Sequence, residues 1–454
     1  MLRKTAGIFC TWVLIFLGGS LDAQTAIPLG EAVQKAAINY PALKAKALQV
    51  EALKKNIQVV TNTGLPSFDA SYQVFYATYN NITGMAYPTY LVPISGPPSK
   101  DNNLAGVFGS ATGLLLNWQP FTFGQRESQT AFAKAGVTQA NSDLANEILQ
   151  HKVRVANAYL DALGAKELLQ IFRENLSRSQ ANLALVQNLV ANGLRPGVDS
   201  ALFAGEVSKA TAELLNHQRN YEQALLNLSQ LMGVTDNITI SDSSYSYRLP
   251  VNGIVADSLQ HPLLAFYQSA IDLDLAKRKT IEKTTLPGLG FWGTTYARGS
   301  GIQYDGTVKS LDGLGLQRVN YGLGIQLSVP LLQSMKIKPQ LQQQDIQARA
   351  DKEKLNELSL QLNRQMRIAD TTLRYALEIV KQNPALLRSA AFAYTTMVSR
   401  YNAGLANYTD IVQAQYNLIK AEDDDKTNHI AVWKAFLYKA AVAGDIDLFL
   451  KQVK

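Results

Sequence analysis

Chemistry in a protein of 454 residues would be carried first by its histidines, cysteines and clustered carboxylates. His151, His217, His261 and His429 are scattered, and no two of them stand in a metal-ligand spacing. Helix surface is their expected setting. The only cysteine, Cys10, lies in an apolar stretch near the N-terminus, so neither disulfides nor thiolate metal sites are expected. Glu422 to Asp425 is an acidic run on a predicted helix, and Lys277-Arg278-Lys279 is a basic one. Both read as solvated helix faces, and the basic residues form no nucleic-acid stripe. Two aspartates remain. Asp199 and Asp410 each follow a Gly-Leu turn, Gly193-Leu194 and Gly404-Leu405, by six residues from the glycine. A carboxylate so placed starts a helix and favours its positive dipole end. Nothing here assembles a catalytic centre, so no enzyme, cofactor or metal is expected.

The elements that place these aspartates begin with an export signal. Arg3 and Lys4 form a charged start, Ile8 to Leu17 an apolar core, and cleavage is expected after Ala23. Cys10 follows bulky Ile8 and Phe9, which argues against a lipid anchor. Without residues 1–23 the charge passes from 43 − 36 = +7 to 41 − 35 = +6, mildly basic and spread along the chain. No later stretch of 18 apolar residues occurs, so membrane-spanning helices are excluded.

The rest is a tandem repeat. Pro41 and Pro66 are answered by Pro262 and Pro287, each 221 positions on. Asn117-Trp118-Gln119-Pro120-Phe121 is answered by Leu327-Ser328-Val329-Pro330-Leu331, with the prolines 210 apart. Gly193 and Asp199 are answered by Gly404 and Asp410, 211 on. The first repeat spans 24–250 and the second 251–454. Each reads as a helix, two extended segments, a very long helix, the Gly-Leu turn and a final helix.

The extended segments, expected at about 66–79, 104–120, 287–298 and 319–331, alternate with period two. Tyr321, Leu323, Ile325, Leu327 and Val329 oppose Gly322, Gly324, Gln326 and Ser328. Phe68, Ala70, Tyr72, Val74 and Tyr76 oppose Ser67, Asp69, Ser71 and Gln73. Glycines weaken the pattern in 108–118 and 289–297. Long Gly/Pro/Ser/Asn-rich connections, Asn80 to Asn103 and Gly299 to Arg318, join the strands of each pair, in the manner of an outer-membrane barrel. The long helices, about Gln125 to Val190 and Lys338 to Arg400, would each extend on the order of 100 Å. Pro384 should kink or break the second. Four strands cannot close a barrel, and lipid tolerates no open edge. Three copies would supply twelve strands. The expected fold is therefore an α+β membrane protein. Its four strands per protomer join a trimeric 12-stranded β-barrel, and its long antiparallel helices form an α-barrel. The competing reading is a secreted or periplasmic coiled-coil scaffold or adhesin without a pore. It accounts for the helices but not for strands at matching points of both halves.

From Ile27 to about Asp447 the sequence resembles the TolC-type outer-membrane efflux family. The most specific stretch is Arg400-Tyr401-Asn402-Ala403-Gly404-Leu405, then Tyr408-Thr409-Asp410-Ile411-Val412-Gln413-Ala414-Gln415. Val329-Pro330-Leu331-Leu332 is similar to the family's Val-Pro-Leu-Phe after its last strand. The resemblance implies a homotrimeric exit duct in the outer membrane, in contact with lipid, with a periplasmic helical extension. It implies a periplasmic adaptor (membrane fusion) protein and an inner-membrane transporter as partners, and neither nucleic acid nor cofactor. Gly193, Leu194, Gly404 and Leu405 would form the periplasmic tip where the adaptor docks. Asp410 matches the family's constriction aspartate, and Asp199 and Tyr401 match positions that hold the tip closed. The sequence departs from the family at Gln413, where a second ring aspartate is usual, and at Ala406, where the lock carries an arginine. Ser334 replaces a junction glycine, which the first half retains as Gly124. These departures imply a one-layer charge ring and a weaker lock.

Overall fold

The first repeat contains β1 (Thr25–Ile27), α1 (Leu29–Asn39), α2 (Pro41–Asn62), β2 (Ser67–Ala77), β3 (Val107–Phe121), α3 (Gln125–Ala191), α4 (Gly197–Met232) and β4 (Ile238–Ile240). The second contains α5 (Pro262–Lys283), β5 (Gly288–Ser300), β6 (Arg318–Ser328), α6 (Gln333–Val380), α7 (Asn383–Asn402), α8 (Tyr408–Ala443) and α9 (Asp447–Leu450). This computed structural model describes residues 25–78, 80, 101–235, 237–251 and 261–452. The expected signal segment, 1–23, and most of the connection from Asn80 to Asn103 lie outside the described residues. Among the described residues no helix is long and apolar enough to cross a membrane.

Two compact units form, one from Met1–Lys44, Glu147–His261 and Leu362–Lys454, the other from Ala45–Asn146 and Pro262–Gln361. Each draws on both repeats, so the repeat boundary is not the packing boundary.

The second unit holds an antiparallel sheet in the order β2-β3-β5-β6. Its register gathers the apolar sets onto one face. Phe68 pairs with Leu116, Leu116 with Gly293, and Gly293 with Leu323. In β6 this face is bare: Leu323 is 82% and Ile325 68% exposed. The opposite face carries Ser71, Gln73, Thr294 and Gln326, which are in register with it by strand alternation. Gly324 and Gly113 make room for their cross-strand neighbours there. A Cβ on Gly324 would stand 2.5 Å from the Trp292 indole, and one on Gly113 would stand 3.1 Å from Tyr296 Cβ. A side chain at either place would displace an aromatic cross-strand neighbour.

The connection from Gly299 to Arg318 is folded. Ile302 bridges to Val308, Ser310–Leu314 makes a 3-10 turn, and Gly301 N–H donates to Phe108 O at 3.0 Å. The second long helix is two helices. Pro384 stands in the first turn of α7, where its missing N–H costs nothing, and α6 stops at Val380. α6 also begins five residues before the expected Lys338, which places Pro339 inside it. The two strand-to-helix junctions differ. Phe123 and Gly124 take φ of 50° and 98° before α3, whereas Ser334 is already helical in α6.

In the first unit, β1 and β4 form a short parallel pair that the sequence pattern does not announce. Tyr159 Oη donates to Ile27 O at 2.9 Å, and Trp433 Nε1 donates to Arg248 O at 2.9 Å. Trp433, Tyr245, Phe436 and Phe449 pack there in one aromatic cluster. This core takes in the middle of α3, the end of α6 and the C-terminal parts of α4 and α8.

The bare sheet face has a direct test. With that face in hydrocarbon, Ile325→Arg should cost roughly 2–4 kcal/mol near the bilayer midplane, and Gln326→Arg, on the other face, should cost little. Urea midpoints in lipid vesicles measure both, and equal losses would reverse the assigned faces.

Candidate functional site

α3 and α7 end in the same way. Gly193 and Gly404 take φ of 71° and 75°, and the next amides, Leu194 and Leu405, reach back to Leu189 O at 2.9 Å and Arg400 O at 2.8 Å. This is a Schellman ending, which consumes the last carbonyls and reverses the chain. Nothing lies within 4 Å of where a Cβ would sit on either glycine, so φ alone demands glycine there. Leu194 and Leu405 project from the turns, 68% and 69% exposed.

The two aspartates occupy the third position of their helices rather than starting them. In α4 the residue before the helix is Pro196, which has no side-chain acceptor, and the Asp199 carboxylate is left for other partners. It accepts the Tyr401 hydroxyl at 2.7 Å, so the structure brings these two residues together. In α8 the cap is Asn407. Its side chain accepts Asp410 N–H at 3.2 Å, while Asp410 Oδ2 accepts Asn407 N–H at 2.9 Å, a capping box. Asp410 is thus tied to its own helix start and not to Asp199 or Tyr401. Gln413, one turn on, donates to Asn417 Oδ1 at 2.9 Å on the exposed face.

An arginine does stand beside Tyr401. Arg195 donates to Tyr401 O at 2.7 Å and to Ala406 O at 2.9 Å, and its guanidinium stands 4.0 Å above the Tyr401 ring. The cation that position 406 lacks thus stands on the other hairpin. The repeat could have revealed it, since 406 − 195 = 211 makes Arg195 the counterpart of Ala406. Tyr408 Oη donates to Glu206 at 3.0 Å, and Phe203 stands edge-on to both tyrosines. Burial first, then the facing carboxylates, push the Tyr401 and Tyr408 hydroxyls up to about 12, so both remain proton donors at physiological pH.

Above this cluster runs a buried polar seam. Gln415 donates to Asn175 at 2.7 Å and Ser179 at 2.8 Å, and Asn182 donates to Gln415 at 3.0 Å and Tyr394 at 3.1 Å. Higher still, Arg178 grips Glu422 through two bonds of 2.7 Å. The acidic run is therefore not a simple solvated face, since Glu422 is largely covered and paired. The histidines also depart from expectation. His151 is fully buried and stacked on Tyr40 at 3.9 Å, and His261 is buried. Desolvation lowers the pKa of both, which suits neutral imidazoles in packed helices.

In the other unit Asp274 faces Asp351. Burial, then a hydrogen bond that its protonated form donates to Asp351, raises Asp274, while Lys354 at 2.7 Å and Gln347 at 3.1 Å hold Asp351 low. Of the two carboxyls Asp274 therefore takes up a proton first as pH falls. Among the described residues no three His, Cys, Asp or Glu are placed to hold a metal ion.

The profile of the outer membrane efflux protein family matches residues 32–234 and 282–427. Several solved structures share the fold. CusC, described for transmembrane channel formation, superposes with a TM-score of 0.72 at 14% identity, over 92% of each chain. A membrane protein of Pseudomonas aeruginosa gives 0.71 at 18% identity, over 92% of this chain and 93% of that one. The Campylobacter jejuni outer membrane channel CmeC gives 0.69 at 15% identity, over 92% and 85%. No curated protein sequence matches the chain.

Two tests come from this geometry. Gly404→Val should cost about 1–2 kcal/mol at the turn and reduce transport more than protein abundance, whereas Gly404→Asn should stay near wild type. Hydrogen exchange at the turn and an export assay separate the two; normal export by Gly404→Val would remove the turn from the functional site. For the acid pair, a raised carboxyl pKa gives stability at low pH that is lost as pH rises through the folded value. Asp274→Asn, which keeps a donor for Asp351 without the second charge, should therefore raise the melting temperature at neutral pH and do little in acid. A gain confined to acid would contradict the raised Asp274 carboxyl.

Proposed function

The chain belongs to the outer membrane efflux protein family, and on that premise we propose that three copies join their sheets into one 12-stranded barrel above a shared helical tunnel. The protein is an outer-membrane exit duct for efflux, with a helical extension into the periplasm. One observation carries the trimer. Among the described residues, β2 and β6 each pair on one side only, and the sheet between them carries a bare apolar face. Backbone edges in hydrocarbon must be satisfied, and pairing β6 of one copy with β2 of the next does so at every seam. A coiled-coil scaffold in water would leave that face without a purpose.

The duct works passively, and no reaction is assigned to it. A periplasmic adaptor would meet the hairpin turns, where Leu194 and Leu405 offer two similar apolar knobs on positive-φ glycine turns. An inner-membrane transporter would load the cargo. Asp410 is read as the gate, three carboxylates around the axis, with Gln413 leaving the next layer uncharged. Asp199 and Tyr401, joined at 2.7 Å, are read as the lock. Heat-resistant trimers in detergent extracts of outer membranes, conducting in planar bilayers, are the expected result; a soluble monomer would defeat this reading.

The gate has its own variant. Asp410→Asn retains an acceptor for Asn407 N–H, so the helix start should survive, whereas Asp410→Ala should lose about 1 kcal/mol. With three carboxylates at the aperture, Asp410→Asn lowers cation preference and weakens block by multivalent cations. Asp199→Asn instead raises open conductance with little change in ion preference. Unchanged selectivity and block in Asp410→Asn would return Asp410 to a helix-start residue alone.

A further inference from the structure

The Tyr401–Asp199 contact is repeated seven residues along both partners. Tyr408 reaches Glu206 at 3.0 Å as Tyr401 reaches Asp199 at 2.7 Å. Seven residues are two helical turns, so both carboxylates lie on one stripe of α4. The tyrosines stand on either side of the Gly404 turn, one near the end of α7 and the other at the start of α8. Between the carboxylates on the same stripe lies Phe203, 2% exposed. Its ring meets Tyr401 edge-on at 5.8 Å and Tyr408 edge-on at 5.0 Å. Val186 and Ile411 close the cluster around it, with Phe203 and Tyr401 buried and Tyr408 half-buried against them.

We propose that Tyr408 and Glu206 form a second rung of the latch, coupled to the first through Phe203, so that the two hairpins of one protomer separate in a single step. The proposal rests on the lock reading of Asp199 and Tyr401 and extends it to residues with no assigned role. Coupling follows from the packing. Neither tyrosine ring can leave without uncovering the Phe203 edge that the other also contacts, so loss of one rung weakens the other. Arg195 works on the same side, because its two carbonyl bonds hold the ends of the second turn, Tyr401 and Ala406, against the turn that precedes α4.

The test is single-channel recording from full-length protein in planar bilayers, with heat stability of the oligomer measured in parallel. Tyr408→Phe removes only a hydroxyl and keeps the ring contact with Phe203. Losing a hydrogen bond to a charged group should shift a two-state latch by roughly tenfold. Tyr408→Phe and Tyr401→Phe should therefore each raise open probability by about that factor, at unchanged oligomer stability. Glu206→Gln, which keeps an acceptor, should stay shut, and Glu206→Ala should open; these two decide the matter if Tyr408→Phe fails to fold. Opening by Tyr401→Phe with Tyr408→Phe and Glu206→Ala both silent overturns the second rung and leaves the lock standing. Single variants that are silent while the double variant opens overturn the coupling. Conducting channels that no variant opens overturn the lock itself, and the second rung with it.

Discussion

A β-strand in hydrocarbon cannot leave its backbone unpaired, and most of this architecture follows from that constraint. Four strands leave two edges, β2 and β6. Water could cover them, but the apolar face that the same strands carry directs the sheet into lipid. Copies must then supply what one chain lacks. The tandem repeat makes the solution economical. Each repeat brings one strand pair and one helical hairpin, and its two strands are separated by a long connection. The helices that leave the sheet need no hydrophobic span, since their backbone bonds are internal and their faces meet other helices.

Repeats seldom stay identical, and the differences fall where the two hairpins must do different things. One junction turns through Phe123 and Gly124 at positive φ, and the other turns through Leu331 and Leu332 without it. One returning helix is preceded by Pro196 and lends its aspartate to Tyr401; the other is capped by Asn407 and keeps its aspartate in the capping box. The same position in two copies of one motif has thus become a tie between hairpins in the first and a self-contained helix start in the second. The change that separates them is the presence or absence of a side-chain acceptor three residues earlier.

The sequence discloses what periodicity and punctuation encode. Glycine at a positive φ marks its own turn, so Gly193 and Gly404 could be placed without coordinates, and Gly233 and Gly444 close the returning helices at the same separation, 444 − 233 = 211. Alternation placed β6 well and β5 poorly, because Gly290 and Gly293 interrupt β5, although a Cβ on Gly293 would stand only 3.0 Å from Leu323 Cδ2. Within the candidate site, Asp199 and Tyr401 came from a motif. Phe203 and Glu206 did not, because a stripe on α4 acquires meaning only when the opposing residues, some two hundred positions away, are known; Arg195 was legible only through the repeat. Buried His151 and paired Glu422 were misjudged for a related reason. Residue type suggests a surface, but stacking on Tyr40 and a two-bond grip from Arg178 make burial tolerable.

The buried seam of Asn175, Ser179, Asn182 and Gln415 has a mechanical consequence. Apolar helix faces can slide past one another at little cost, exchanging one methyl contact for the next. Amides cannot, because a one-turn shift of α8 along α3 would strand several buried donors and acceptors together. Tilting about the seam keeps them paired. The hairpins are consequently stiff along their length and compliant across it, so that this bundle behaves as a hinge and not as a piston.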